Sequence, residues 1–516
     1  MRPRSLDVAA ASVIFLICLG SYLFTLAPTI TWQHDGVDSG DLVAAAHTLG
    51  VAHPPGYPLF LLLARVFILL PVGEIAYRVN LLSAVCAAVT VVLVYYIAQL
   101  LLDSRIGMLS AISISGASAL LFGFSYIYWS QAVIAEVYSL NALLIAVSIL
   151  LAVLHRRTND RKFLWMLGLT LGLGLANHLS ALLFVPTTIF LALDARPARL
   201  STWLGALGFF VLGLSLYLYL PACSAGHPPI DWGGSRTWAG FWWTVSARIY
   251  SDYAFAVPLT DLPGRVIAWL RMLTQQFTWA GFALGLVGVW ELWDEDRRYL
   301  AFSLASFGAV VIYSIAYNTS DSYVYLIPSF LIFTLWVARG SAGLCFAASR
   351  FGPIIRRDGL LSPSHVRRFL SLALLFLPVV LLRFNTLQVT LRDDWTAYEY
   401  ATGVLATTPS DAIIIADTDA HIFSLWYARY VVTPDRAPTI VAKGLFHYQW
   451  YKDTLRWNEP DIVMTSPLGD PHAQLAAFID ANLPDRAVYL TDRDERILSQ
   501  YPYSWQDGLY KLGVKG

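Results

Sequence analysis

The chain has 516 residues, of which 57% are hydrophobic and 14% charged, with a mean hydropathy of +0.56; that is too apolar for a soluble domain and places it among polytopic membrane proteins. Its 35 Lys+Arg balance 35 Asp+Glu, which leaves no basic footprint and excludes nucleic acid as an expected partner. Cys18, Cys86, Cys223 and Cys345 are scattered, so neither a disulfide framework nor a zinc spacing can be drawn.

About eleven apolar segments reach or approach the roughly 20 residues that cross a hydrocarbon core of about 30 Å. They fall at 7–27, 76–102, 106–126, 137–154, 163–176, 179–193, 201–220, 266–290, 299–317, 324–340 and 368–388; the fifth and sixth are short. The first is too long for a signal peptide and lacks a small-residue cleavage site, so it is expected to be a retained helix. Lysine and arginine gather on alternate connections: Arg2 and Arg4; Arg105; Arg156, Arg157, Arg161 and Lys162; Arg196 and Arg199; Arg297 and Arg298; and the stretch from Arg339 to Arg368. That side is cytoplasmic by the positive-inside rule. The regularity constrains the count, because one missed span would reverse every later loop. The other side receives a long first loop (28–75), a loop from Tyr126 to Glu136, a large loop (221–265), a short one from Tyr317 to Tyr323, and the tail.

From about Thr390 the composition changes. "DAIIIAD", "PTIVAK" and "RAVYLTD" are short β-branched runs bounded by Asp, Pro and Gly, with helix-like stretches such as "HIFSLWYARYV" between them. The expected organisation is a transmembrane domain over 1–388 followed by a small extracytoplasmic α/β domain over 389–516.

The first external loop carries Asp35, Asp38 and Asp41 within "DGVDSGD". A helix is expected over "GDLVAAAHTLG", with Leu42, Ala46 and Leu49 as its apolar stripe, Gly50 as its stop and a Ser39 or Asp38 cap. Capping accounts for one acid and not for three. Asp38 and Asp41 stand at i, i+3, so they share a helix face, where one pKa rises and the pair can act as a base or hold a cation. Downstream, "HPPGYPLFLLLARVFILLP" places His53 and Tyr57 at a Pro-Gly turn before an apolar run too short to span, as suits an interfacial helix. Later external positions add Glu136, Tyr138 and Asn141 at the mouth of the fourth helix, His178 after the fifth, Trp232 in "PPIDWGG", Arg248 in "SARIYSDYAF" and Asp321 in "YNTSDSYVYLIP". Taken singly, each also suits an ordinary loop or anchor residue. The chain contains neither a GxSxG elbow nor GxxxxGK[ST], so a serine nucleophile and nucleotide hydrolysis are not expected.

The blocks "DSGDLVAAAHTLGVAHPPGYPLFLLLARVF", "WSQAVIAEVYSLNALL", "GLGLANHLSALLFVP", "PPIDWGG" and "SDSYVYLIPSFLIF" resemble a membrane family related to the eukaryotic O-mannosyltransferase that acts on IPT domains. "HIFSLWYARYVVTPDRAPTIV" also resembles the external domain of bacterial members. The resemblance implies the GT-C glycosyltransferase architecture, a polyprenyl-phosphate sugar donor, and a catalytic acid in the first external loop. It places Asp38 there, as general base for an inverting displacement. Asp41 and Glu136 would then orient Asp38 or join it in holding a divalent cation, Mg or Mn. His53, His178 and Arg248 would face the phosphate; Tyr57, Asn141 and Trp232 the sugar; Tyr138 and Asp321 complete the expected substrate site. The acceptor is a hydroxyl of a protein or glycan, with membrane lipid as the other partner. The rival reading is a secondary transporter or flippase of lipid-linked glycans, against which stand acids gathered at one surface and no inverted repeat. A purely structural subunit is a third. Lacking a C-terminal retention signal, the chain is expected in a bacterial plasma membrane with its site facing outward, or in the endoplasmic reticulum if eukaryotic.

Overall fold

The computed structural model describes residues 5–103, 106–195, 199–351, 362–434, 437–465 and 470–515; Arg2, Arg4, Arg105 and Arg196 of the charge pattern lie outside them. Helix α1 (Ser5–Thr25) leads into the first external loop, which folds as α2 (Ser39–Thr48) and α3 (Pro58–Ile68). The 27 residues of α4 (Ile75–Leu101) then run about 40 Å at 1.5 Å per residue, enough to cross a bilayer core. Next come α5 (Met108–Gly123) and α6 (Tyr126–Ala132), bent by 68° at their junction, then α7 (Tyr138–Thr158), α8 (Arg161–Leu175), α9 (Val185–Ala192), α10 (Leu200–Leu214) and α11 (Tyr219–Ser224). Helix α12 (Trp238–Val245) lies in the large external loop. The helical part closes with α13 (Leu262–Glu295), α14 (Arg297–Ala316), α15 (Ile327–Phe351), α16 (Pro363–Ala373) and α17 (Phe376–Val389).

This is a multi-pass membrane protein. Among the described residues seven stretches are long and apolar enough to cross a membrane, or eight if the bent α5–α6 pair is one span. The two short expected segments form α8 and a 3-10 turn joined to α9. Helix α13 has 34 residues and breaks at Thr278, where φ is 62°. Backbone groups freed at the α5–α6 bend find partners inside the protein, as a lipid environment demands: Asn385 Nδ2 donates to Phe124 O at 2.8 Å, and Gln276 Oε1 accepts from Ile127 N at 2.9 Å. Glycines let helices touch backbone to backbone. A Cβ on Gly168 would strike Ala206 O across the α8–α10 contact, and one on Gly288 would strike Trp336 O across α13–α15.

Beyond α17 come α18 (Thr396–Thr407), β1 (Ile413–Ala416), α19 (Asp419–Tyr427), β2 (Thr439–Ala442), α20 (Gln449–Asn458), α21 (Pro471–Asn482), β3 (Val488–Leu490), α22 (Glu495–Leu498), β4 (Tyr503–Gln506) and β5 (Leu509–Leu512). The sheet order is β2-β1-β3-β5-β4. Strand β1 pairs in parallel with β2 and β3, while β5 runs antiparallel to β3 and β4. Every residue of β1, β2 and β3 is buried, which is why these runs are continuously apolar and not alternating.

The sheet region and the first external loop share one apolar core, in which Leu42, Val43, Val51 and Phe60 meet Ile413, Phe423, Leu425 and Trp426. Helix α2 lies against α19 so closely that a Cβ on Gly40 would collide with the Phe423 carbonyl. Glu74 caps α4 by accepting from Ala76 N at 2.8 Å, and it also receives the Thr29 hydroxyl at 3.1 Å and the Tyr427 hydroxyl. Two expectations for α2 are corrected. Its left-handed stop is Leu49 (φ 53°) and not Gly50, and Leu49 is 45% exposed and so leaves the apolar stripe. Gly50 is needed for another reason, since a Cβ there would strike Ile230 O.

Candidate functional site

The three aspartates of the first loop separate into three environments. Asp35 sits in a left-handed conformation (φ 57°) and accepts a hydrogen bond from the Tyr323 hydroxyl, tying the loop to the external end of α15. Asp41 is fully buried. Its Oδ2 accepts from His53 N at 2.9 Å and pairs with His53 Nδ1 at 2.7 Å, and its Oδ1 accepts from Trp232 Nε1 at 3.0 Å. Asp38 stands at the N-cap position of α2 without making a side-chain cap bond. Its Oδ2 lies 3.4 Å from His53 Nε2, and its side chain keeps 40% of its exposure. His53 therefore bridges a buried carboxylate and an open one.

Local structure explains why His53 stays there. Val51 pairs with Asp231 in an isolated parallel bridge, through Val51 N to Ile230 O at 2.8 Å and Trp232 N to Val51 O at 3.1 Å. The bridge carries Trp232 over the Asp41 carboxylate. Asp231 in turn accepts from Ser224 Oγ at 2.8 Å and from Arg236 Nη1 at 3.4 Å. The Tyr57 ring stands edge-on to the imidazole with centroids 4.9 Å apart, and Phe423 of α19 stacks on it at 6.3 Å with planes 14° apart.

Electrostatics divides the acids by role. Partial desolvation in the cleft lifts Asp38 to about 6, with Asp41, Asp419 and Asp321 adding to the rise and His53 opposing it. Burial disfavours the His53 imidazolium, but Asp38 and then Asp41 outweigh it and raise the group to about 9. At neutral pH the cluster thus holds an imidazolium beside an ionised Asp38. Glu136 is buried; burial, and then the Asp38 charge, holds it well above the carboxylate range. Its Oε2 accepts from Val137 N at 3.3 Å, while its Oε1 has no hydrogen-bond partner. A protonated Glu136 can donate from that oxygen. His178 is depressed to about 4 by burial and then by the His53 charge, so it is neutral; its Nδ1 accepts from Ser180 N at 3.2 Å.

The structure gathers Asp38, Asp41, His53, Tyr57 and Trp232 directly. Glu136 and Asp321 lie near enough for their charges to act on Asp38, or its charge on them. His178 joins through Tyr57, with centroids 6.1 Å apart, and Tyr138 through His178 at 5.6 Å. Asn141 is buried and donates to Ser180 Oγ at 3.1 Å. Arg248 is exposed, in the same 3-10 turn as Tyr250, whose ring centroid is 6.5 Å from that of His53. The expected cation site is not formed. Both Asp41 oxygens are taken by His53 and Trp232 donors, His53 supplies the positive charge beside Asp38, and no group of three or more His, Cys, Asp or Glu among the described residues is arranged to hold a metal.

Sequence reasoning missed Asp419 and Phe423, which reach the site from α19. Asp419 is raised by burial, with His53 opposing and Asp41 adding to the shift. A signal was present: Asp419 follows the carboxyl end of β1, where ligands of parallel sheets commonly bind.

A family model described as "Protein O-mannosyl-transferase TMEM260 N-terminal domain" matches residues 38–201. The chain is 28% identical over 492 residues to the protein O-mannosyl-transferase TMEM260 of Mus musculus, covering 89% of this chain and 68% of that one. It is 24% identical over 545 residues to the Dictyostelium discoideum protein of the same name, covering 94% of this chain and 63% of the relative. The matches thus span about two thirds of the relatives' own length. In fold the chain is similar to ArnT from Cupriavidus metallidurans, solved bound to undecaprenyl phosphate (TM-score 0.56, 11% identity, 98% of this chain and 97% of that one). It is also similar to the Archaeoglobus fulgidus oligosaccharyltransferase tethered with an acceptor peptide (TM-score 0.50, 11% identity, 99% and 74%).

Proposed function

We propose that this chain, a relative of the TMEM260 O-mannosyltransferases with a GT-C fold, is a glycosyltransferase that moves a sugar from a polyprenyl-phosphate donor to an acceptor hydroxyl on the extracytoplasmic face. The names of its relatives favour mannose and a protein acceptor. The observation that carries the reading is Asp38: an open carboxylate, held against a buried imidazolium, in the first external loop. A lipid phosphate is a good leaving group, so the demanding step is activation of the acceptor. Asp38 takes the hydroxyl proton as the acceptor oxygen bonds to the anomeric carbon. The bond from that carbon to the phosphate oxygen breaks, and its electron pair leaves with the polyprenyl phosphate. One displacement inverts the configuration and requires no covalent intermediate.

Asp41 acts through His53. It fixes the ring by two bonds and supplies part of the charge that keeps it protonated, and the imidazolium keeps Asp38 ionised although it is partly desolvated. Buried and protonated, Glu136 is suited to donate to an oxygen of sugar or phosphate rather than to bind a cation. The divalent ion expected from the sequence does not fit this donor set, in which both Asp41 oxygens already accept from His53 and Trp232. Residues 389–516 act as an external domain that closes the site through Asp419 and Phe423.

Asp38→Asn tests the assignment. Transfer from a polyprenyl-phosphate sugar should fall by about 10²- to 10⁴-fold, the usual worth of a positioned base, with donor binding retained. Normal transfer by the purified variant would remove Asp38 from the chemistry. A flippase would instead move lipid-linked sugar between leaflets without transferring it, so donor translocation in vesicles lacking an acceptor separates the two readings.

A further inference from the structure

The cleft at Asp38 has two walls of different origin. One is built at the bilayer: Glu136, Tyr138 and Asn141 stand at the head of the span α7, and His178 stands just beyond α8. The other comes from outside it, with Asp419 and Phe423 on α19 and Tyr250 in the turn Arg248–Tyr253 of the large external loop. Asp38 lies between the walls, since its charge acts on Glu136 and the charge of Asp419 acts on it. A polyprenyl phosphate is fastened in the bilayer by its tail and reaches Asp38 along the first wall. An acceptor arriving from water meets the second.

The second wall offers one donor and one acceptor, both open. Tyr250 stands edge-on to His53, with ring centroids 6.5 Å apart and planes at 81°, on the same imidazole that Phe423 stacks against. Asp419 precedes Phe423 by four residues, so the two share a face of α19 one turn apart. Asp419 is exposed and Tyr250 only partly buried, and neither the carboxylate nor the phenol has a hydrogen-bond or ion-pair partner among the described residues. Partial desolvation, and then the charges of Asp38, Asp419 and Asp41, hold the phenol well above its ordinary range, so it stays protonated and donates. The Asp419 carboxylate accepts, and its charge opposes an anionic lipid or a phosphorylated acceptor. A neutral chain with N–H and C=O groups side by side, as every peptide unit presents them, satisfies the pair.

Resting on the glycosyltransferase reading, we propose that Tyr250 and Asp419 bind the acceptor and that the acceptor is a polypeptide: the phenol donates to a peptide carbonyl beside the reacting hydroxyl, and the Asp419 carboxylate accepts from a peptide N–H. Asp38 is left free for the hydroxyl itself. The test gives the full chain in nanodiscs a radiolabelled mannosyl polyprenyl phosphate and, as acceptor pool, the exported proteins of cells that lack this protein. Label in protease-sensitive material is read against the concentration of the pool and of the donor. Tyr250→Phe removes one hydroxyl and should raise the apparent acceptor KM about tenfold, as expected for one hydrogen bond left unmade, with the donor KM unchanged. Asp419→Ala, measured above the Asp38 titration at about 6, should raise the acceptor KM in the same way. An unchanged acceptor KM in either variant, or a rise in the donor KM instead, overturns the subsite and leaves the transferase reading standing. Label confined to protease-resistant glycan overturns the polypeptide acceptor. Absence of transfer by the wild type overturns the transferase reading itself, and the subsite with it.

Discussion

At the scale of residues, the site turns on how one histidine divides its two ring nitrogens between two carboxylates. Asp38 titrates near 6, so in the proposed role it can take a proton only above that value, while His53 stays an imidazolium until about 9. The rate of transfer should therefore rise through about pH 6 as Asp38 ionises. It should fall again near 9, when loss of the imidazolium leaves Asp38 and Asp41 without their counter-charge. His53→Gln removes the charge that lowers the Asp38 pKa, so the acid limb should move to higher pH and the alkaline limb should vanish. A profile of kcat/KM against pH reads both, and an unmoved acid limb in the variant would refute the pairing. Asp419→Asn works in the opposite sense. It deletes a negative charge that raises Asp38, so the acid limb should shift to lower pH. The sequence paired Asp38 with Asp41 and set His53 apart as a phosphate contact; that His53 stands between the two carboxylates was not legible, because only the fold makes one aspartate buried and leaves the other open.

At the scale of elements, the seam between α2 and α19 determines the shape of the site. Helix α2 carries Asp41 in its first turn, and α19 carries Asp419 and Phe423, so their close approach brings the Phe423 ring against His53. Gly40 permits that approach. Gly40→Ala should push the helices apart at a cost of about 1–3 kcal/mol, the usual range for overpacking, lowering the melting temperature in detergent and weakening transfer together. An unchanged melting temperature would show that the seam tolerates a methyl group. The interfacial run after His53 was legible as too short to span, and it folds as the 11 residues of α3. The stop of α2 was read at the wrong residue: Leu49 takes the left-handed position because Gly50 is held against Ile230 by the strand-like bridge to Asp231, a pairing across 180 residues that no local pattern announces.

At the scale of the whole molecule, the chain is one membrane bundle with polar chemistry at both ends, acids at the external mouth and arginines at the cytoplasmic one. The sheet region does not stand apart, because its core continues into the first loop and through the Glu74–Tyr427 contact to the head of α4. The sequence alone determined that the protein lives in a membrane, and it singled out the first external loop as the place where acids gather. Composition and charge periodicity are local quantities, and the bilayer converts them directly into topology. Only the tertiary structure decided that both Asp41 oxygens are taken by His53 and Trp232 donors, that Asp419 arrives from about 380 residues downstream, and that Glu136 is buried beside the pair. Those outcomes rest on burial and on distances between remote segments, and a carboxylate has the same letter in the sequence whether the fold leaves it in water or shuts water out.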